Sequence, residues 1–232
     1  LSSHLPFLHP SMSVPISPAR LRSDIYGFSG QTHPAPPLVI SVLASLLERA
    51  IARNQRTGRP EAAAPPGARA FDGHRVLHMP VQPFLERFFR YTGAAPAVFV
   101  FAYVYIDRLC QMNPGFRLTQ KNAHRLLAAT ILVASKFVED LNYRNSFFAK
   151  VGGLATGELN GLEVDLLFLM GFRLHVSVSV FDSYCRHLER EVGAEGGYQI
   201  ERTLRSLCGG ETTSNSEEKE RTEPNQLATF LL

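Results

Sequence analysis

The chain has 232 residues and a formal net charge of +3 at pH 7. Charged residues make up 19% of the sequence and hydrophobic residues 45%, proportions that favour a globular protein over a disordered or collagen-like chain. The longest nearly unbroken apolar stretch, residues 94–106, is shorter than the roughly 20 residues that a membrane span requires. We therefore expect one folded domain with tails and no membrane contact.

The cysteines and histidines of the chain do not have the spacing of a disulfide framework or a metal site. Cys110, Cys185 and Cys208 are odd in number and far apart, so they predict neither a disulfide framework nor a zinc site, and a reducing compartment is the default. His74 and His78 could share a helix face, but no third ligand follows at a fixed spacing. We expect no metal here.

The sequence contains no recognisable catalytic motif. Phosphate-binding glycine motifs, a nucleophile elbow and a helical zinc-protease motif are all absent. Cys185 and His187 could in principle be nucleophile and base, but two residues apart on a helix they point to different faces. We expect no catalytic residues, no cofactor and no small-molecule ligand.

The chain changes character several times before residue 75. Residues 1–37 carry many prolines and serines without a periodic apolar face and are interpreted as a disordered tail. Residues 38–56 have apolar positions at three- and four-residue steps, which predicts a helix. The stretch 57–74, with its prolines and glycines, is interpreted as a linker.

Residues 75–180 predict five helices separated by short polar or Gly/Pro breaks. They run from Pro80 or Pro83 to Thr92, and then over 96–112, 119–140, 145–151 and 156–170. Thr119 is the predicted N-cap of the third, and Gly171 ends the fifth. Residues 176–180 alternate Val and Ser, yet an isolated strand has no partner for its backbone, so we interpret them as a connector into a helix over 179–192.

The end of the chain is less periodic. Residues 181–208 are predicted to form a short C-terminal helical extension, and 209–232 a disordered polar tail. The predicted fold class is therefore all-α.

Three charged side chains occupy the most apolar helical patterns. Asp107 follows the apolar stretch, Lys136 lies within Ile-Leu-Val-Ala-Ser-Lys-Phe, and Glu163 precedes a leucine-rich run. Unpaired burial would cost several kcal/mol for each of them, so each must reach solvent, pair internally or contact a partner molecule. Spacing alone leaves these alternatives open and favours exposed or internally paired charges.

Several short segments in this order resemble the cyclin box. They are Tyr105-Ile106-Asp107-Arg108, Ala128-Ala129, Ala134-Ser135-Lys136-Phe137, Leu162-Glu163 and Gly171-Phe172-Arg173-Leu174. The likeness covers about residues 75–180 and is closest to the plant P-type, or U-type, cyclins, which are related to yeast phosphate-response cyclins. It implies a single five-helix box with an extra N-terminal helix and a short C-terminal helical extension.

The resemblance also implies a function. Cyclins bind a cyclin-dependent kinase and hold its C-helix in the active orientation, without performing chemistry themselves, in cell-cycle or nutrient-linked control of division. The implied kinase-binding residues are Lys136 and Glu163, with Phe137 and Leu167 as apolar neighbours. We expect a location in the nucleus and/or cytoplasm and no nucleic-acid partner. The alternative is a cyclin-box adaptor in a transcription or nucleic-acid complex without kinase activation.

Asp107 matches a family aspartate that usually pairs with an arginine of the first box helix. No arginine stands at that place here, which puts substrate docking through that helix in doubt. We expect Asp107 to be structural, with Lys136 or a neighbouring helix end as its partner. We expect the helix over 38–56 to bury its apolar face against the bundle rather than against the kinase.

Overall fold

A computed structural model describes residues 18–27, 36–57, 65, 67–73, 77–140 and 142–192. Within these ranges the chain forms eight α-helices and one short 3-10 helix, and no strand. The predicted all-α class is confirmed. Within the same ranges, no helix combines the length and the apolar character needed to cross a bilayer.

Five consecutive helices form the box that the resemblance implied. They are α3 (Val81–Thr92), α4 (Pro96–Met112), α5 (Ala123–Val138), α6 (Asn145–Gly152) and α7 (Thr156–Leu169). Helices α4 and α5 lie at the centre and pack against each other, and α7 packs on the other side of α5. Their ends follow local chemistry: Pro96 begins α4, while Gly93 and Gly153 end α3 and α6 at positive φ, where glycine avoids the strain of a Cβ.

Helix α2 (Leu38–Arg56) packs against α3 and α4 of the box. The apolar positions that predicted it form a buried stripe, as expected for a helix with one face toward a core. This agrees with the expectation that the helix covers the bundle.

The interpretation of residues 1–37 as a tail is corrected by α1 (Pro18–Tyr26). Leu21 and Ile25, one turn apart, are buried in the common core. The guanidinium of Arg22 donates two hydrogen bonds of 2.8 and 2.6 Å to the carboxylate of Glu189. Nine residues hold too few apolar positions to reveal a period, and packing against a distant helix stabilises the segment. Residues 1–17 lie outside the described part.

The linker prediction for residues 57–74 also needs correction. A 3-10 helix, Ala68–Phe71, docks against α5 and α7. The ring of Phe71 is fully buried and meets Phe116 edge to face at 6.2 Å, while the guanidinium of Arg125 donates to the carbonyl of Ala70 at 2.9 and 3.2 Å. One buried aromatic residue thus fixes a stretch whose composition predicts a loop.

The start of α5 differs from the prediction. The residue before the helix is Asn122, not Thr119. The Asn122 side chain closes the preceding turn by accepting from the Thr119 N–H at 2.8 Å and donating to the Arg117 carbonyl at 2.8 Å. A side chain that bonds its own local backbone often defines such a turn.

Helix α8 (Val178–Val192) follows the box directly and packs on α1, α2 and α4. It begins inside the segment that alternates Val and Ser, because a helix satisfies its backbone N–H and C=O groups by its own hydrogen bonds, whereas a lone strand would leave them without partners. The predictions for residues 193–208 and for the tail 209–232 lie outside the described residues.

Candidate partner-binding site

Lys136 and Glu163 meet on the surface of the bundle. Lys136 lies in the last turn of α5 and Glu163 in the middle of α7, two helices that pack side by side. The Lys136 Nζ donates to Glu163 Oε1 at 2.6 Å, and the side chains are 39% and 15% exposed. The charges that sequence reasoning left as either internally paired or partner-facing are therefore paired and still reach solvent.

A third side chain fixes the carboxylate of this pair. Asn145, the first residue of α6, donates through Nδ2 to Glu163 Oε2 at 2.8 Å and to Asn160 Oδ1 at 2.8 Å. Both carboxylate oxygens of Glu163 thus accept one hydrogen bond each, which orients the group. Sequence reasoning missed Asn145, because nothing in its spacing shows that the start of α6 faces α7.

Apolar side chains lie near the ion pair in sequence, on α5 and α7. Phe137 is 46% exposed, while Leu167 packs partly against the core. Val164 and Phe168 occupy the same side of α7 and are exposed, Phe168 at 69%. Both belong to the leucine-rich run that follows Glu163. Apolar residues at solvent-facing positions of that helix were a signal that sequence reasoning did not use.

Phe172 is a further exposed aromatic residue, and its backbone is strained. Its φ is +57°, and among the described non-glycine residues it alone has a positive φ. Its ring is 58% exposed, and the ring centroid is 5.3 Å from that of Phe168. A bulky residue in the left-handed region costs roughly 1–2 kcal/mol of folding free energy. Because the ring is mostly exposed, burial of its apolar surface offsets little of this cost. Such an outlier supports a functional interpretation of the position.

The backbone after Phe172 is held by α4. The Tyr105 hydroxyl donates to the Leu174 carbonyl at 3.1 Å, and Arg108 donates to the carbonyls of Arg173 and His175. Burial raises the pKa of Tyr105 to about 12, so the phenol keeps its proton at neutral pH and remains a donor. These bonds fix the turn that presents Phe172.

Asp107 lies elsewhere, inside the bundle. Its side chain is buried, and Oδ2 accepts from the Tyr184 hydroxyl of α8 at 2.5 Å and from Gln111 Nε2 at 2.8 Å. Burial, and then the bond to Asp107, raise the pKa of Tyr184, which therefore stays protonated as a donor. Of the two expected partners, Lys136 pairs with Glu163 instead, and the hydrogen bond to Tyr184 comes from a neighbouring helix. The Asp107–Tyr184 bond joins the box to the C-terminal helix instead.

The weaker sequence candidates do not assemble into a site. Cys185 is buried in α8, and burial raises the pKa of its thiol and lowers that of His187, which favours the unreactive thiol. His78 is exposed, and His74 lies outside the described residues. Across the described ranges no three His, Cys, Asp or Glu side chains are grouped so as to hold a metal ion.

The site is one ion pair on a surface with exposed apolar side chains, and residues of neighbouring helices hold both the ion pair and the turn at Phe172 in place. An arrangement of this kind can bind another protein through its apolar rim and offer a donor and an acceptor at its centre. The sequence of the chain matches the Cyclin family over residues 38–174, more than half of its length. The chain belongs to the cyclin family.

Curated cyclins of flowering plants are similar over nearly the whole chain. Cyclin-U2-2 of Arabidopsis thaliana is 55% identical over 229 residues, which cover 96% of this cyclin and 99% of the relative. Cyclin-U2-1 of the same plant is 58% identical over 203 residues, covering 87% and 90%. Cyclin-P2-1 of Oryza sativa subsp. japonica is 57% identical over 202 residues, covering 82% and 91%.

These relatives confirm the resemblance to the P-type and U-type cyclins. Cyclins are regulatory proteins rather than enzymes, and their general partner is a protein kinase. The matched segment begins at α2, so the helix interpreted as an extra N-terminal element falls within the family's own span in this cyclin. The kinase-binding roles of Lys136, Glu163, Phe137 and Leu167 stay predictions.

Proposed function

We propose that this cyclin binds and activates a cyclin-dependent kinase by holding the kinase C-helix in its active orientation, in cell-cycle or nutrient-linked control of cell division. The observation that carries the proposal is the Lys136–Glu163 pair, whose side chains are 39% and 15% exposed and which has exposed apolar neighbours on α5 and α7. Nucleus and/or cytoplasm stays the predicted location.

The energetics follow from population shift. A protein kinase is active only when an ion pair between its own lysine and a C-helix glutamate has formed. A partner that binds that geometry better than the inactive one raises the active population by its differential affinity. To move a kinase from 1% to 99% active, the cyclin must favour the active state by about 5.5 kcal/mol.

The charged pair has unused capacity for a partner. Lys136 has three donor hydrogens, of which one is directed to Glu163, and the Glu163 carboxylate has about four acceptor positions, of which Lys136 and Asn145 use two. A short backbone stretch of the kinase that presents a carbonyl to Lys136 and an N–H to Glu163 would have both polar ends satisfied. Around it, Phe137, Phe168 and Phe172 would cover apolar side chains of the kinase.

A direct experiment measures both binding and activation. The full chain is combined with a purified plant cyclin-dependent kinase catalytic subunit, and the Kd and the rate of peptide phosphorylation are determined. Lys136→Glu should weaken binding and lower the stimulated rate by at least about tenfold, which corresponds to 1.4 kcal/mol. The matched control is Lys121→Glu, an exposed lysine just before the other end of α5.

The outcomes separate the candidate functions. Loss of binding in Lys136→Glu, with Lys121→Glu near wild type and helical circular dichroism unchanged in both, supports the proposal. Equal binding by Lys136→Glu and wild type counts against it. Tight binding without any rise in turnover would instead favour the adaptor function.

A further inference from the structure

A row of aromatic rings leads away from the ion pair across four helices. Phe137 of α5 lies 6.4 Å from Phe101 of α4, Phe101 lies 5.3 Å from Phe181 of α8, and Phe181 lies 6.2 Å from Tyr26 of α1, all measured between ring centroids. We call Phe137, Phe101, Phe181 and Tyr26 the aromatic row. The first ring is a neighbour of Lys136, so the row begins inside the proposed kinase site.

The row lies at the surface of the bundle. Its end members are exposed, Phe137 and Tyr26 at 46% and 55%, and the two middle rings are partly buried. Val178 is 77% exposed and stands three residues before Phe181 on α8, so the two share a helix face. The row and Val178 therefore present apolar groups from α5 as far as α1.

Tyr26 is held in place at the far end. Its hydroxyl donates to Asp182 Oδ1 at 2.8 Å, and its ring meets Phe181 edge to face. The two hydrogen bonds from Arg22 to Glu189 fasten the same helix to α8, and the N–H of Leu38 donates to Asp24 at 2.7 Å, fastening it to the start of α2. A ring oriented in this way loses little side-chain entropy when a partner covers it.

The size of a protein interface favours the same extension. A stable complex buries about 800 Å² on each partner and engages about 20–30 residues a side. The ion pair and the exposed apolar residues of α5 and α7 account for only part of such a footprint. From them, apolar rings that are exposed or partly buried continue along the aromatic row, without a break in ring contacts.

We infer that the kinase surface extends along the aromatic row, so that α1 and the start of α8 contact the same kinase as Lys136 and Glu163. This inference rests on the proposed function. It assigns a partner contact to Tyr26, Phe181 and Val178, which all lie outside the segment 38–174 that matches the family. The parts of the fold outside the segment that matches the family then help to select which kinase is bound.

Val178→Asp tests the inference with little risk to folding. Val178 is the most exposed of the large apolar side chains described, and a carboxylate in the first turn of a helix is favourable. We expect the Kd for the purified plant cyclin-dependent kinase to rise about tenfold, with the unfolding midpoint unchanged or slightly higher. The control is Leu77→Asp, which replaces an exposed apolar residue in a groove also lined by His124. His124 is twelve residues before Lys136 on α5, which places this groove about 18 Å along the helix from the ion pair.

Hydrogen–deuterium exchange of the wild-type complex gives a second measurement that needs no variant. Amides of residues 18–26 and 178–182 should exchange more slowly in the complex than in the free cyclin. A change of less than twofold in the Kd of Val178→Asp, or identical exchange of these amides in free and bound cyclin, overturns the inference. A concentration-dependent dimer of the free cyclin that Val178→Asp dissociates also overturns it, since a second copy would then cover the row.

Failure of the inference is distinguishable from failure of the proposed function. If Lys136→Glu weakens kinase binding but Val178→Asp matches Leu77→Asp, the proposed function stands and the extension along the row is rejected. If the wild-type chain neither binds nor activates the kinase, the proposed function itself fails.

Discussion

The ammonium of Lys136 and the carboxylate of Glu163 lie 2.6 Å apart although they belong to different helices. Exposed ion pairs contribute only about 0–1 kcal/mol to stability, so this contact is a weak explanation for the fold. A paired, oriented and solvent-accessible set of one donor group and one acceptor group is better suited to recognition of another protein.

A charge exchange separates the structural and binding roles of this pair. The double variant Lys136→Glu with Glu163→Lys keeps the intramolecular attraction but reverses what a partner meets. We expect its unfolding free energy to stay within about 1 kcal/mol of wild type, while kinase affinity falls at least about tenfold. Urea unfolding and isothermal titration calorimetry measure the two quantities. Restored binding in the double variant would show that only the internal pair matters.

Phe172→Asn should stabilise the protein and impair its function. Asparagine tolerates the left-handed conformation better than phenylalanine does, and the exposed ring contributes little burial. We expect the unfolding free energy to rise by up to about 1 kcal/mol, and kinase binding to weaken.

The control for this prediction is Phe168→Asn. Phe168 is exposed but helical, so its replacement relieves no backbone strain and should slightly destabilise the fold. Equal changes of stability in the two variants would argue against strain at Phe172.

Tyr184→Phe should destabilise the fold and leave the kinase surface intact. It removes one donor from the buried Asp107 carboxylate, and loss of a hydrogen bond to a charged group costs about 1.5–3 kcal/mol. Urea denaturation with an unchanged m-value would report this loss, and the Kd for the kinase at 25 °C should remain within twofold of wild type. An unchanged midpoint would mean that other donors replace the hydroxyl.

His124 should make stability depend on pH. Its ring is partly buried beside Phe84, and Nε2 lies 2.8 Å from the Met79 carbonyl. Burial lowers its pKa below 6.5, so as pH falls below about 6.5 the unfolded chain takes up the proton first and the folded state loses stability. Above that pH the imidazole is neutral in both states and the effect vanishes.

The measurement is the melting temperature between pH 7.5 and pH 5. His124→Gln, which keeps a donor for the Met79 carbonyl, should show a smaller decrease than wild type over this range. Part of the decrease should remain, because burial also lowers the pKa of His187. An identical decrease in both proteins would remove His124 as the cause.

Local pattern determined much of this protein before any tertiary contact was known. The bounds of α4 follow from Pro96 and from the polar residues after Met112, and α3 and α6 end at glycines, because caps and breakers act over a few residues. The same local order of segments sufficed to place the chain among the cyclins. It also identified Lys136 and Glu163 as charged residues within apolar helical patterns, whose burial would need a partner.

Tertiary structure alone decided the partners of those charges. Lys136 pairs with Glu163, and Asp107 bonds Tyr184, because helix packing brings together side chains that no sequence spacing relates. Helix α1 shows the same limit: nine residues are too short to be stable alone, and Leu21 and Ile25 gain their burial only against helices from the rest of the chain. Long-range packing therefore decided the surface and helix α1, while local periodicity determined the longer helices.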